Sequence, residues 1–201
     1  MQVANQPRSF LGFFLLLLAI FSPSTVSGKE KISKNAIPLD TDQIEIYKAV
    51  LLRHASDDAA PLNVSKTTYP LSISPTEECL KGITLSNLDD VSHSFHDLTA
   101  DVLPGKNARL VDSGKQGRIV RGNDPDKTMR KGKSADVAVK EAFATALFSM
   151  SEIAFDKEHR HAVVSYRFWC GSLCGKGTTV VFEKVGGEWK TTASTCSVWV
   201  S

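Results

Sequence analysis

"TTVVFEKVGGEWKTTASTCSVWV", residues 178–200, reads as two β-strands joined by a two-residue turn. β-branched and aromatic residues dominate both halves, as a pleated, half-buried surface requires. Gly186 and Gly187 fall between the halves, and two-residue hairpin turns need positive φ angles that glycine takes without steric cost. A turn there sets Val185 against Glu188, so facing residue numbers sum to 373 and Cys196 falls opposite Gly177. Upstream, "SEIAFD" (151–156) and "HAVVSYRFWC" (161–170) carry the same β-type composition. Residues 151–201 therefore read as an antiparallel meander.

Before the meander the period is helical. Asp40 is placed as an N-cap with Gln43 in capping-box position, and Ile44, Tyr47, Leu51 and His54 follow on one face. "LNVSKTTYPLSI" (62–73) reads as extended. "SPTEECLKG" (74–82) is punctuated as a short helix: Ser74 caps it, Pro75 opens it, Glu77 completes the box and Gly82 stops it. Leu88, Val91, Phe95, Leu98 and Val102 recur at three- and four-residue steps, predicting an amphipathic helix that ends at Pro104-Gly105. "GKQGRIVRGNDPDKTMRKGK" (114–133), rich in glycine and charge, reads as a long surface loop. Ser134 then caps a last helix with a stripe of Val139, Phe143, Leu147 and Met150, widened by Ala138, Ala142 and Ala146. The expected fold is α+β: one domain over residues 42–201, a C-terminal antiparallel β-meander with helices packed on one face.

The N-terminus sets the compartment. Arg8 precedes a 12-residue apolar run (10–21), and small residues lead to Val26-Ser27-Gly28. That is the pattern of a secretory signal peptide over residues 1–28, followed by a polar lead-in over 29–41. The run is too short to span a bilayer as a helix, which takes about 20 residues. Export to a periplasmic or extracellular space is expected, with tethering by an uncleaved segment as the alternative. A formal net charge of +2 gives no reason to expect nucleic acid, and no second apolar stretch is long enough to span. Asn63-Val64-Ser65 has the form of a glycosylation sequon.

"CGSLCGKG" (170–177) is the stretch with the most candidate chemistries. As a phosphate loop it fails: Gly171 and Gly175 are one residue too close, and Gly177 stands where magnesium-binding Ser or Thr is needed. Structural zinc favours tight C-x2-C pairs, and a thioredoxin-type centre needs C-x-x-C; Cys170 and Cys174 match neither. No cofactor or metal is expected. In an oxidising compartment Cys79, Cys170, Cys174 and Cys196 are expected to form disulfides, for which three pairings exist. A local Cys170–Cys174 bridge is favoured because its ends are close before folding, leaving Cys79 for Cys196. The crossed pairings remain open.

Two further groups invite function. Asp89, His93 and Asp97 lie four residues apart on the polar side of the predicted Leu88–Val102 helix, with His96 beside them. Carboxylates flanking an imidazole orient it and raise its basicity, as a hydrolase base requires; a solvated face with i,i+4 charge pairs is the alternative. The basic segment 109–133 carries eight Lys or Arg against three Asp and could dock an acidic partner. It lacks the aromatic residues that would stack nucleic-acid bases.

Residues 160–201 resemble the C-terminal hairpins of a family of uncharacterised exported bacterial proteins. The shared features are a G-x-L-C-G-x-G turn at Gly171, Leu173, Cys174, Gly175 and Gly177, a hairpin marked by Lys184, Gly187 and Trp189, and the ending Trp199-Val200-Ser201. The resemblance implies export and a helix-backed sheet, and carries no catalytic residue. The function expected from the sequence is a non-enzymatic domain binding a small ligand or another protein. A hydrolase using Asp89, His93 and Asp97, or an interaction protein docking through 109–133, are the alternatives.

Overall fold

In the computed structural model, six strands form one sheet: β1 (Leu62–Ser65), β2 (Ala108–Val111), β3 (Leu147–Phe155), β4 (His161–Gly171), β5 (Cys174–Val185) and β6 (Glu188–Val200). Their spatial order is β2-β1-β3-β4-β5-β6. The structure describes residues 38–55, 60–105 and 107–201. The signal peptide and most of the polar lead-in predicted above lie outside the described residues. β3 to β6 are antiparallel neighbours, whereas β1 pairs parallel with both β2 and β3. Parallel neighbours need long crossovers, and three helices supply the one from β2 to β3: α3 (Ser113–Gly122), α4 (Pro125–Arg130) and α5 (Ala135–Thr145). α1 (Thr41–Leu52) precedes β1 and the single turn α2 (Leu88–Val91) lies between β1 and β2. Fold class is thus α+β, a meander with helices.

α1 starts where its cap dictates. Asp40 Oδ1 accepts from the Gln43 amide at 2.8 Å and Gln43 Oε1 accepts from the Asp40 amide at 3.0 Å, which satisfies two otherwise orphaned donors. The helix buries Ile46, Tyr47, Val50 and Leu51 against Phe148, Ile153, Phe155, Val164 and Phe182 on one sheet face. Each such side chain contributes about 1.5–3 kcal/mol when fully buried. Asp42 in the first turn accepts from Lys184 Nζ at 2.6 Å and Trp189 Nε1 at 3.0 Å, fastening α1 to the β5–β6 hairpin. Burial raises the Asp42 carboxyl, but these two donors outweigh it and hold the pKa below its ordinary value. On the other face, Ala154, Val163, Val181 and Cys196 meet Leu71, Leu80 and Val91 from the irregular segment between β1 and β2.

The hairpin turn forms at Gly186-Gly187 with φ of 63° and 88°, both in the region glycine favours. Its register keeps the 373 sum from Val185–Glu188 to Phe182–Thr191, and then two irregularities displace it. Cys196 consequently faces Thr179, and Trp199 takes the place opposite Gly177.

Four helix and loop expectations are corrected. The predicted helix through Leu88, Val91, Phe95, Leu98 and Val102 is a single turn, after which residues 96–98 pair with 66–68. Thr68 N donates to His96 O at 3.0 Å, Leu98 N to Lys66 O at 2.7 Å, and Thr67 bridges Asp97. Beyond β1 this backbone needs partners, and Ser92-His93-Ser94 has little helical preference to resist. Val91, Leu98 and Val102 are still buried, but Phe95 is 48% exposed. The helix around Cys79 shrinks to one 3-10 turn, Glu78–Leu80, with Gly82 at φ 83°. The predicted loop 114–133 holds α3 and α4, capped by Asp112 and by Asp124 with Pro125 at the first position. In α5 the alanine face is buried while Val139 and Phe143 face outward, and Leu147 and Met150 belong to β3.

Candidate functional site

On the face of the sheet away from α1, alternation brings together residues far apart in the chain. Ser149 of β3 pairs with Arg167 of β4, Arg167 with Gly177 of β5, and Gly177 with Trp199 of β6. One step along, Leu147 pairs with Trp169 and Trp169 with Gly175. Gly175 and Gly177 are two residues apart and so share a face. A Cβ on Gly177 would sit 2.4 Å from Trp199 Nε1, and one on Gly175 3.3 Å from Trp199 Cζ3. The indole therefore lies across bare backbone, one face seated on the strand and 41% of the residue exposed. Here the glycines of "CGSLCGKG" make a shelf for an aromatic ring.

Arg167 stands at the centre of this shelf. Its guanidinium carbon lies 4.1 Å from the Tyr69 ring centroid, a cation–π arrangement. It has no carboxylate partner among the described residues. Burial pushes the Tyr69 hydroxyl pKa up to about 12, against the opposing charge and side-chain hydrogen bond of Arg167. Trp169 is backed by Gly117 of α3, with Arg121 5.9 Å from its ring centroid. Leu147, Ser149, Arg167, Trp169 and Trp199 line a hollow of about 520 Å³. It adjoins a smaller one of about 130 Å³ that shares Arg167 and Trp199 and adds Ser72 and Ser197. Among the described residues no Asp or Glu lines either.

A staple holds the adjoining turn. Cys170 and Cys174 form one disulfide and Cys79 and Cys196 the other. Cys196 lies with Val163 and Val181, and Cys170 with Ala142 and Ala146. Asp124, the buried N-cap of α4, accepts from Ser172 N at 2.6 Å and Ser172 Oγ at 2.7 Å. Gly171 at φ 154° lets the chain pass so close that a Cβ would meet Pro125 Cδ at 2.7 Å. The Ser172 hydroxyl, then the Ser172 amide, hold the Asp124 carboxyl below its ordinary pKa, with burial opposing. A depressed folded-state pKa contributes stability that is fully present above the unfolded value, about 3.9, and is lost as pH falls through the folded value. Asp124→Asn is therefore expected to flatten the acid limb of the urea midpoint below about pH 4. A limb as steep as that of the wild type would refute this role for the Asp124 carboxylate.

The other sequence candidates are placed apart. Asp89 ends up in α2, His93 beyond it, and Asp97 in the paired stretch where it accepts from Thr67 Oγ1 at 2.9 Å; all three are exposed. They share no helix face, because that helix is absent. His96 instead meets a group the sequence reading passed over: its Nδ1 lies 2.6 Å from Glu152 Oε2, while Glu152 Oε1 accepts from Thr68. Glu152 is buried in β3, so this pair ties the 67–99 segment to the sheet. Among the described residues no group of three or more His, Cys, Asp or Glu could hold a metal, and no helix is long and apolar enough to cross a membrane. In the 109–133 segment, Arg130 is paired with Asp126, and Lys133 with Glu141 of α5. Asn63 of the sequon is buried and donates to Ala146 O at 3.0 Å. A second, apolar groove of about 690 Å³ runs past His54, Leu62, Val139, Phe143 and Phe168. Burial, then Lys176 and Arg53, lower the His54 pKa to about 4, so it is uncharged at neutral pH.

No family model, no curated protein and no solved structure matches this chain.

Proposed function

We propose that this chain is an exported, non-enzymatic binding domain that holds a ring-bearing anionic ligand on the shelf of Arg167, Trp169 and Trp199. The observation that carries the reading is Arg167: a guanidinium without a carboxylate partner, set between aromatic rings in a hollow lined by no acid. Arginine offers a rigid fork of donors that matches a carboxylate and stacks on aromatic faces. The exposed indole of Trp199 and the half-buried one of Trp169 beside it give a ligand apolar contact at low cost in side-chain entropy. Two disulfides support an oxidising compartment, and the signal-like N-terminus supports export to it.

Calorimetric titration of the full chain against benzoate, indole-3-acetate and glucuronate tests the site. Arg167→Ala is expected to weaken binding of whichever ligand is held by at least roughly tenfold, the scale of a lost charge-assisted hydrogen bond. Gly177→Ala, whose Cβ would lie 2.4 Å from Trp199 Nε1, is expected to displace the indole and weaken the same ligand. Binding that survives both substitutions unchanged would place the ligand elsewhere and refute the proposal.

A further inference from the structure

We propose that the ligand of the Arg167 shelf is an acidic saccharide, a uronate-type ring within an oligomer; this rests on the binding role proposed above. Three features of the hollow separate such a ligand from other ring-bearing anions. Trp199 keeps one indole face on Gly175 and Gly177 and so offers only the other, a flat apolar surface suited to the C–H face of a pyranose. The hydroxyls of Ser72, Ser149 and Ser197, which line the two adjoining hollows, make no hydrogen bond among the described residues. A hydroxyl both donates and accepts, as sugar hydroxyls do, whereas a flat aromatic acid would leave these three unused. Among the described residues, Arg167 is the one cationic side chain lining the hollows. That matches a single carboxylate better than a phosphate, which carries more charge.

The shape agrees. The hollow lined by Ser149 and Trp169 and the one lined by Ser72 and Ser197 share Arg167 and Trp199. Two adjoining hollows that share the cation give a chain of rings room beyond a single unit, with one ring on Trp199 and its carboxylate on Arg167. A closed pocket would admit only a terminal unit.

The test uses the full chain with both disulfides formed. Trimers of galacturonate, glucuronate and mannuronate, their neutral methyl esters, and indole-3-acetate are titrated while heat and indole fluorescence are followed. The expected result is binding of at least one acidic trimer with a change in indole emission, and at least tenfold weaker binding of its methyl ester. Arg167→Gln and Trp199→Ala should each reduce the affinity at least tenfold while far-ultraviolet circular dichroism stays unchanged. A methyl ester held as tightly as its acid overturns the proposal. So does indole-3-acetate binding through Arg167 when no acidic trimer binds, although that outcome keeps the shelf as a binding site. Absence of Arg167-dependent binding by every probe overturns both.

Discussion

Replacing Cys79 and Cys196 together by alanine is expected to lower the free energy of unfolding by about 5 kcal/mol, against about 2 kcal/mol for Cys170 and Cys174. The difference comes from what each bridge removes from the unfolded chain. Cys79 and Cys196 are separated by 117 positions and Cys170 and Cys174 by 4. Loop-closure entropy grows with the logarithm of loop length, so the long bridge constrains far more unfolded conformations. Their surroundings point the same way. Cys196 is buried with Val163 and Val181 on β4 and β5, and Cys79 packs against the same cluster from its 3-10 turn. The long bridge thus fastens the irregular 67–103 segment to the sheet, where no continuous helix does so. Urea titration of the two double variants without reductant measures both losses. The long-bridge variant should also show a larger denaturant slope, because its unfolded chain expands further. Equal losses would mean that the entropy of the long loop is not what Cys79–Cys196 contributes.

The parts of the fold legible in the sequence are those whose signal is local. Asp40 and Gln43 form a reciprocal cap with no outside help, and Gly186-Gly187 makes its turn because both residues need positive φ; each appears as read. The spacing of Leu88, Val91, Phe95, Leu98 and Val102 misled because the same spacing serves unconnected pieces. Val91 closes α2, Leu98 sits in the stretch paired with Lys66, and Val102 ends a 3-10 turn. Burial of three of these residues was legible; the backbone that achieves it depends on residues some thirty positions away. The cap signals Asp112, just before 114–133, and Asp124-Pro125 within it were present, but glycine and charge obscured them.

The candidate site was illegible for a related reason. Arg167, Trp169, Gly175, Gly177 and Trp199 meet only once the register across β4, β5 and β6 is known, and the irregularities in β6 shift that register after Phe182–Thr191. A sum fixed at 373 puts Cys196 over Gly177 and sends the eye to cysteine chemistry. The true partner, Trp199, turns the glycine into a seat for an indole. The usable clue was the period of Gly175 and Gly177: two glycines on one face of a strand leave a strip of bare backbone, which an aromatic side chain on the neighbouring strand can cover.

Phe148→Ala is expected to cost about 3–5 kcal/mol, whereas Phe95→Ala should cost about 0.5 kcal/mol or less. The sequence would have ranked them otherwise, since Phe95 stands in mid-stripe and Phe148 was passed over between Leu147 and Met150 of the predicted helix. In the folded chain Phe148 is fully buried in β3. Its ring stacks on Tyr166 at 5.4 Å and meets His54 at 5.0 Å between centroids. Removing it deletes the transfer free energy of a whole aromatic side chain and leaves a cavity bounded by sheet and helix, which cannot both collapse. Aromatic pairing is lost as well, at about 0.5–1.5 kcal/mol beyond the buried area. Phe95, 48% exposed on the irregular segment, gives up little contact and opens no cavity. The contrast separates two chains of the same composition, one with a continuous 88–102 helix and one with residues 96–98 paired to 66–68. Urea unfolding of both variants decides between them: a loss of several kcal/mol at Phe95 would restore the helix, and a small loss at Phe148 would remove β3 from the core.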